Sequence, residues 1–368
     1  MANISDYVGW RGDLTFKQAP FNDVDNLVLS VLAYADFKDI VPKSSTNETI
    51  SLNEAAAQFF DLHDGEGLED GKLFAWEAPF LLKSAAASER FKDVQLSKYI
   101  DTTDEENQMQ FAAFHAKLGD GTTYIAFRGT DDSLIGWKED FNMSFLSPVP
   151  SQLAAVEYVN NSVHYNVRKI RLGGHSKGGN LAIYAATKCS DRVKKKIIDV
   201  YNNDGPGFDR QMVESEEYRQ LLPKLKTIVP HNSVVGMLLE HEAEYMVVKS
   251  SQTGLLQHDA MSWQVFGAGF ETLDNISEAS AMMKRALSGW INKMERQQRQ
   301  EFVELLFSVI TSNGAKTLSE LLTDGLGSPR NIFKQYASLD RNTKNMLKSV
   351  LGSLTGEFDK VIRQKSKK

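Results

Sequence analysis

Residues 171–186 read RLGGHSKGGNLAIYAA, and the fold turns on how this stretch is understood. A short strand pattern, KIRL at 169–172, runs into glycines around a single serine, and a helix pattern, NLAIYAATK at 180–188, follows at once. Ser176 stands between Gly174 and Gly178, with Gly173 and Gly179 close by. A serine on a sharp strand-to-helix turn is a nucleophile elbow, and the strain of that turn requires small residues two positions to either side. The hydroxyl then projects at a helix N-terminus, where free backbone N–H groups favour developing negative charge. The Lys177 N–H is one candidate oxyanion donor. The plainer reading is a glycine turn that only lets helix and strand pack closely.

Composition bounds the rest. A chain of 368 residues suggests one large domain with an appendage, or two domains. An apolar content of 42% with 24% charge is that of a folded chain with a sizeable core. The net charge of −6 supplies no global basic field, so nucleic acid is not an expected partner. The opening MANISDYVGWRGDLTF lacks the basic and apolar regions of a signal peptide, and no run of 18 apolar residues suggests a membrane span. The single cysteine, Cys189, excludes an internal disulfide and reads as a small apolar filler. A cytoplasmic location is the expectation.

Outward from the elbow, strands and helices alternate. FNDVDNLVLSVLAYA at 21–35 reads as a helix with Val24, Leu27, Val28, Val31 and Leu32 on one face. Residues about 50–105 read as a helical insertion or lid. MQFAAFHAKL and TTYIAFRG flank GDG at 119–121, a hairpin signal. A helix over 151–167 precedes the elbow, and KKIIDVYNND, KLKTIVPH and EYMVVKS are further strands. This alternation predicts an α/β chain with a mostly parallel sheet and helices on both faces. Residues 1–268 are expected to form that domain, and 269–368 a helical C-terminal region. There Phe302, Leu305, Leu306 and Val309 make one apolar stripe, and Met346, Val350, Leu354 and Val361 another. The basic tail VIRQKSKK reads as a frayed end, with weak contact to an anionic membrane as the sharper alternative.

The segment YIAFRGTDDSLIGWKEDF, 124–141, resembles the oxyanion loop of class 3 (fungal-type) lipases, where a strand ends in F-R-G-[ST] and W-x-x-D-[LF] follows. The likeness implies that the Thr130 N–H is the second oxyanion donor. It also implies that Arg128 and Gly129 support the loop and that Arg128 and Asp140 are structural, paired with each other. The plainer reading of Arg128 is a solvated charge at a strand end. From 21 to about 268, the chain resembles the bacterial Mbeg1-like family, a branch of the α/β-hydrolase fold. The segments that carry the resemblance are FNDVDNLVLSVLAYADF, AFRGTDDSLIGWKEDF, GGHSKGGNLA, YNNDGPGF, IVPHNSVVGMLLEH and QHDAMSW.

In that fold the order is nucleophile, acid, histidine. His231, His241 and His258 follow Ser176 outside its own motif. His258 stands after the strand EYMVVKS and a glycine-containing loop, where the fold places its base. His231 ends a strand, and His241 falls in an apparent helix, VVGMLLEHEA; both read as edge or surface residues. His175 reads as packing or hydrogen-bonding locally. Class 3 lipases carry the acid in an N-D-x-V-P-like segment, but here PHNSVVGML puts Ser233 at that place. Asp204, in VYNNDGPGF, is the candidate instead, because pancreatic-type lipases carry their acid after that strand. Its plainer reading is a cap of the DGPGF turn. Asp259, beside His258, is a weaker candidate.

No cluster has metal-ligand spacing and no P-loop occurs, so no metal or cofactor is expected. Together these readings point to a serine hydrolase acting on a small-molecule ester or thioester, lipid-like in its apolar acyl part, with VVGMLL and the aliphatic insertion as candidate pocket walls. The same triad supports acyl transfer or peptide cleavage. The alternative is a non-catalytic hydrolase-like scaffold that binds a lipid or a protein. Oligomeric state is open.

Overall fold

The computed structural model describes residues 1–63 and 77–311, with 314–317, 319, 320, 344, 348 and 352 beyond them. Among the described residues the strands are β1 (Ile50–Ser51), β2 (Gln95–Asp104), β3 (Met109–Lys117), β4 (Thr123–Phe127), β5 (Ile170–His175), β6 (Ile197–Asn203), β7 (Leu225–Pro230), β8 (Tyr245–Val248), β9 (Val265–Phe266), β10 (Gly269–Phe270) and β11 (Thr272–Leu273). One sheet runs in the order β1-β2-β3-β4-β5-β6-β7-β8-β11, and β9 pairs only with β10. Strands β4 to β8 are parallel. Antiparallel strands extend both edges. With its flanking helices this is an α/β-hydrolase fold.

The period-2 alternation of the strands feeds two cores. On β4, Tyr124 and Ala126 join one core, while Ile125 and Phe127 join the other. On β6, Tyr201 and Val200 part in the same way. The parallel strands lie in sequential order, so right-handed crossovers bring their helices to a single face. Pro150–Ser162 and Lys177–Lys188 pack there. Ile4–Arg11, Asp23–Leu32, Leu52–His63 and Ala78–Ala87 cover the opposite face.

The expected insertion is thus only partly helical. Its described helices belong to the core under the sheet, residues 64–76 lie outside the described residues, and 95–104 form β2. A register shift between Ser97 and Ile100, with Lys98 at φ 59°, interrupts the alternation that would have marked this strand.

Helix Asp23–Leu32 is buried on its polar side too. Asn22 caps it, accepting from the Val24 and Asp25 N–H groups, while the Asp25 carboxylate accepts the Asn22 N–H in return. Arg90 pairs with Asp25, and both side chains are fully buried. Asn26 and Ser30 reach Tyr124 and Asn203 beneath the elbow.

The sheet passes the boundary expected at 268. β11 pairs with β8, and Leu273 and Ile276 pack on Val229, Met237 and Val247. Helices Glu278–Lys293 and Arg296–Thr311 follow. Phe302, Val303 and Phe307 are buried against Trp137, Phe145 and Trp290. The packed face is therefore rotated from the expected stripe, and Leu305 and Leu306 are half-buried. The aromatic helix Leu134–Asn142 sets that rotation by presenting Trp137 and Phe141. The Val309 side chain, the second stripe and the basic tail lie outside what is described. No helix among the described residues is long and apolar enough to cross a membrane.

Candidate active site

Strand β5 ends at His175, and helix Lys177–Lys188 begins two residues later, so Ser176 must turn the chain alone. It does so at φ 57° and ψ −133°, a conformation an L-residue adopts only at a cost. The flanking glycines are steric requirements. A Cβ on Gly174 would lie 2.4 Å from the Gly178 carbonyl carbon, and one on Gly178 would lie 2.2 Å from the Phe127 oxygen. Beneath the turn, Ser176 N–H donates to Asn203 O at 2.9 Å, and Asn203 Nδ2 donates to Gly174 O at 3.0 Å. The buried amides of Asn26 and Asn203 thus tie helix Asp23–Leu32 to the elbow.

Three residues far apart in sequence meet above it. Ser176 Oγ lies 2.9 Å from His258 Nε2, and His258 Nδ1 lies 2.7 Å from Asp204 Oδ2. The Asp204 side chain is fully buried, whereas that of His258 is 12% exposed and so reachable from outside. Asp204 sits at φ 54°, just after β6, with its N–H on Ile228 O. Its second oxygen, Oδ1, accepts from Ser233 Oγ at 2.5 Å and from Gly236 N–H at 3.2 Å. A Cβ on Gly236 would lie 2.2 Å from that oxygen, so only glycine allows the contact. Asp259 turns away: its carboxylate accepts the Met261 N–H and caps the following turn.

Two donors hold the backbone on either side of the imidazole. His175 Nε2–H donates to His258 O at 2.7 Å, and Trp263 Nε1–H donates to Gln257 O at 2.9 Å. His175 Nδ1 accepts from the Tyr34 hydroxyl at 3.0 Å. Burial, and then the neighbouring His258, push the His175 imidazole down to about 3, so it stays neutral. His231 donates from Nδ1 to Asn275 O and plays no part here. His241 lies beyond a single 3-10 turn, Val235–Met237, and not in the helix expected from VVGMLLEHEA. That turn is drawn in by the bond from Gly236 to Asp204.

Thr130 follows β4, and Lys177 heads the elbow helix, whose first N–H groups have no intrahelical acceptor. The Thr130 hydroxyl donates to Asp140 Oδ2 at 2.6 Å. Asp140 Oδ1 has no hydrogen-bond partner among the described residues, and burial pushes this carboxyl up to about 6 against the pull of Lys177. The expected Arg128–Asp140 pair does not form. Arg128 makes a bidentate pair with Asp101 of β2, across the intervening β3, at 2.6 and 2.9 Å. It is only 7% exposed, which also sets aside a solvated strand-end charge. Gly129 lets the loop pass the Tyr34 hydroxyl, which a Cβ would approach to 2.1 Å. The Lys177 side chain, 1% exposed, reaches Glu139 Oε2 at 3.0 Å.

Ser233 and Glu139 support this cluster without having been assigned to it from the sequence, and the local hydrogen bonding expected of His175 falls on the His258 carbonyl. The GHSKGG motif carried one available signal, a lysine where burial is expected. Among the described residues no group of three or more His, Cys, Asp or Glu side chains could hold a metal ion. Cys189 is remote from this chemistry. It is buried in the core, and desolvation pushes its thiol up to about 11.

The Mbeg1-like profile matches residues 85–308, a span that includes the elbow, Asp204, Ser233 and His258. The chain belongs to the Mbeg1-like family. No curated protein matches it. Among solved structures, this Mbeg1-like chain is similar to a fungal lipase from a lipase–inhibitor complex, at 17% identity and a TM-score of 0.34, covering 64% of this chain and 90% of that one. It is also similar to M37 lipase, at 12% identity and a TM-score of 0.35, covering 91% of this chain and 99% of that one.

Proposed function

We propose that this protein is a serine hydrolase cleaving an ester or thioester with an apolar acyl group. The observation that carries the reading is the continuous hydrogen-bonded relay Ser176 Oγ, His258 Nε2, His258 Nδ1, Asp204 Oδ2. In the proposed reaction His258 Nε2 takes the Ser176 hydroxyl proton as Oγ bonds to the substrate carbonyl carbon. Asp204 holds the Nδ1–H tautomer and stabilises the imidazolium. The backbone N–H groups of Thr130 and Lys177 donate hydrogen bonds to the negative charge that develops on the carbonyl oxygen. His258 then returns the proton to the departing alkoxide or thiolate, leaving an acyl-Ser176 ester. Water attacks that ester with His258 again as base, releasing the acid and restoring the serine. The apolar acyl preference draws support from Leu255 and Leu256. They stand 63% and 57% exposed, three and two residues before His258.

The test is covalent labelling by a fluorophosphonate. Stoichiometric modification of the wild type at Ser176, lost in Ser176→Ala, supports the proposal. A folded sample that stays unlabelled while a known serine hydrolase reacts overturns it, in favour of a non-catalytic scaffold.

A further inference from the structure

The strained elbow presents a backbone N–H, but a backbone N–H must also be held still. Lys177 carries that N–H in the reaction proposed above, and its side chain leads to an unusual anchor. Its ammonium donates to Glu139 Oε2 at 3.0 Å and to Gln110 O at 3.1 Å, entirely within the protein interior. Glu139 has no solvent exposure. Its Oε2 also accepts the Gln110 N–H at 3.1 Å, and its Oε1 accepts the Ser151 N–H at 2.8 Å. One carboxylate therefore joins the start of β3, the first turn of helix Pro150–Ser162 and the elbow.

The next residue along, Asp140, accepts the Thr130 hydroxyl. Both residues proposed to carry oxyanion N–H groups are thus tethered, through their side chains, to consecutive carboxylates on helix Leu134–Asn142. A buried ion pair is a poor device for stability alone. Desolvation consumes most of its Coulomb energy, and apolar side chains of similar volume usually serve as well or better. What it does supply is directional fixing.

We propose that Glu139 is a positioning residue for the oxyanion hole. It acts through Lys177 and locks helix Leu134–Asn142, with Thr130 attached, at a fixed distance from the elbow. The inference rests on the hydrolase reading.

The test compares wild type with Glu139→Asp, which keeps the charge but shortens its reach, and with Lys177→Met/Glu139→Gln. Lys177→Met alone would strand a buried charge and is expected to unfold. The double variant removes both charges and leaves an amide oxygen for Ser151 N–H, so its fold should survive, as checked by thermal unfolding. Each folded variant is assayed on a short p-nitrophenyl ester. Its affinity is then measured for a trifluoromethyl ketone bearing the same acyl chain, whose adduct places an oxyanion in the hole.

Removing an oxyanion donor outright costs roughly 10²–10³ in kcat, so misplacing one should cost about tenfold or more. The expected result is that loss at a KM within about twofold of wild type, with ketone affinity falling in proportion. Folded variants with wild-type kcat and ketone affinity overturn the proposal. Should the double variant not fold, Glu139→Asp, which keeps the charge but draws the carboxylate back from Lys177, decides by the same two readouts. A wild type that neither hydrolyses ester nor reacts with fluorophosphonate is a different failure: the hydrolase reading then falls, and this proposal falls with it.

Discussion

Ser233 donates a 2.5 Å hydrogen bond to Asp204 Oδ1, so the residue standing where class 3 lipases carry their acid serves the proposed acid instead. Two carboxylates cannot share that place without one of them taking up a proton. The chain therefore needs a neutral donor at 233 once Asp204 supplies the charge. Asp204→Asn should keep the fold and lower kcat by roughly 10²–10⁴, because the imidazole loses both its tautomer preference and its counter-charge. Ser233→Ala should cost about tenfold or less, since Gly236 N–H still holds Oδ1. Steady-state kinetics on both variants checks the order. An Asp204→Asn variant as active as wild type would remove Asp204 from the mechanism.

Much of this was legible in the chain. Glycine spacing around Ser176 and the strand and helix patterns beside it are local signals, and the turn they encode is local too. The meeting of Ser176, His258 and Asp204 follows from the order of strands in the fold. What stayed hidden depends on register or on long loops. The Arg128–Asp101 pair exists because β2 is a strand, and the irregularity at Lys98 disguised that strand. Ser233 reads as a lost acid until the chain folds and brings it to Asp204. The burial of the Lys177 side chain could not be assigned without its partner, because lysine is usually solvated and only Glu139 makes burial tolerable.

His175 offers a test of how the proposed base, His258, is held. Its Nε2–H fixes the His258 carbonyl, and its neutral state is enforced by burial. His175→Phe keeps a ring but deletes the donor, and should lower kcat about tenfold with little change in KM, since the lost interaction aims the base. His175→Gln retains an N–H and should recover part of that loss. Active-site titration with fluorophosphonate corrects each value for unfolded enzyme. Equal kcat in all three proteins would show that the contact is only structural.

Acidification should destabilise the protein in a defined window. Burial lowers both His115 and His175 to about 3 from an unfolded value of 6.5. Each contributes stability above pH 6.5 that is lost as pH falls, because the unfolded chain binds a proton that the native one refuses. Between pH 7 and pH 5 each should remove about 2 kcal/mol. Asp140 works in the opposite sense: raised to about 6, it favours the native state as pH falls through that value. Urea unfolding at pH 7 and 5 should show the net loss. Asp140→Asn should enlarge it by removing the opposing group. A stability that is flat across this range would contradict the neutral, buried state of the two imidazoles.

The C-terminal helices bear on the same machinery. Phe307 packs its ring 5.6 Å from that of Phe141, and Arg299 donates to Ser144 O. Leu134 N–H donates to Lys316 O at 2.9 Å. These contacts fall on helix Leu134–Asn142 and its flanks, the element that carries Glu139 and Asp140. Phe307 is 4% exposed, so Phe307→Ala should open a cavity costing roughly 3–5 kcal/mol of local docking energy. Because the helix bearing the two carboxylates would then be packed on one side only, kcat should fall while the sheet domain stays folded. Limited proteolysis supplies the second readout. Wild type should resist cleavage between about 276 and 311, and Phe307→Ala should be cut there faster. Rapid release from wild type of a stable, fully active fragment ending near 276 would instead mark the C-terminal helices as an independent appendage, and would sever them from the oxyanion loop.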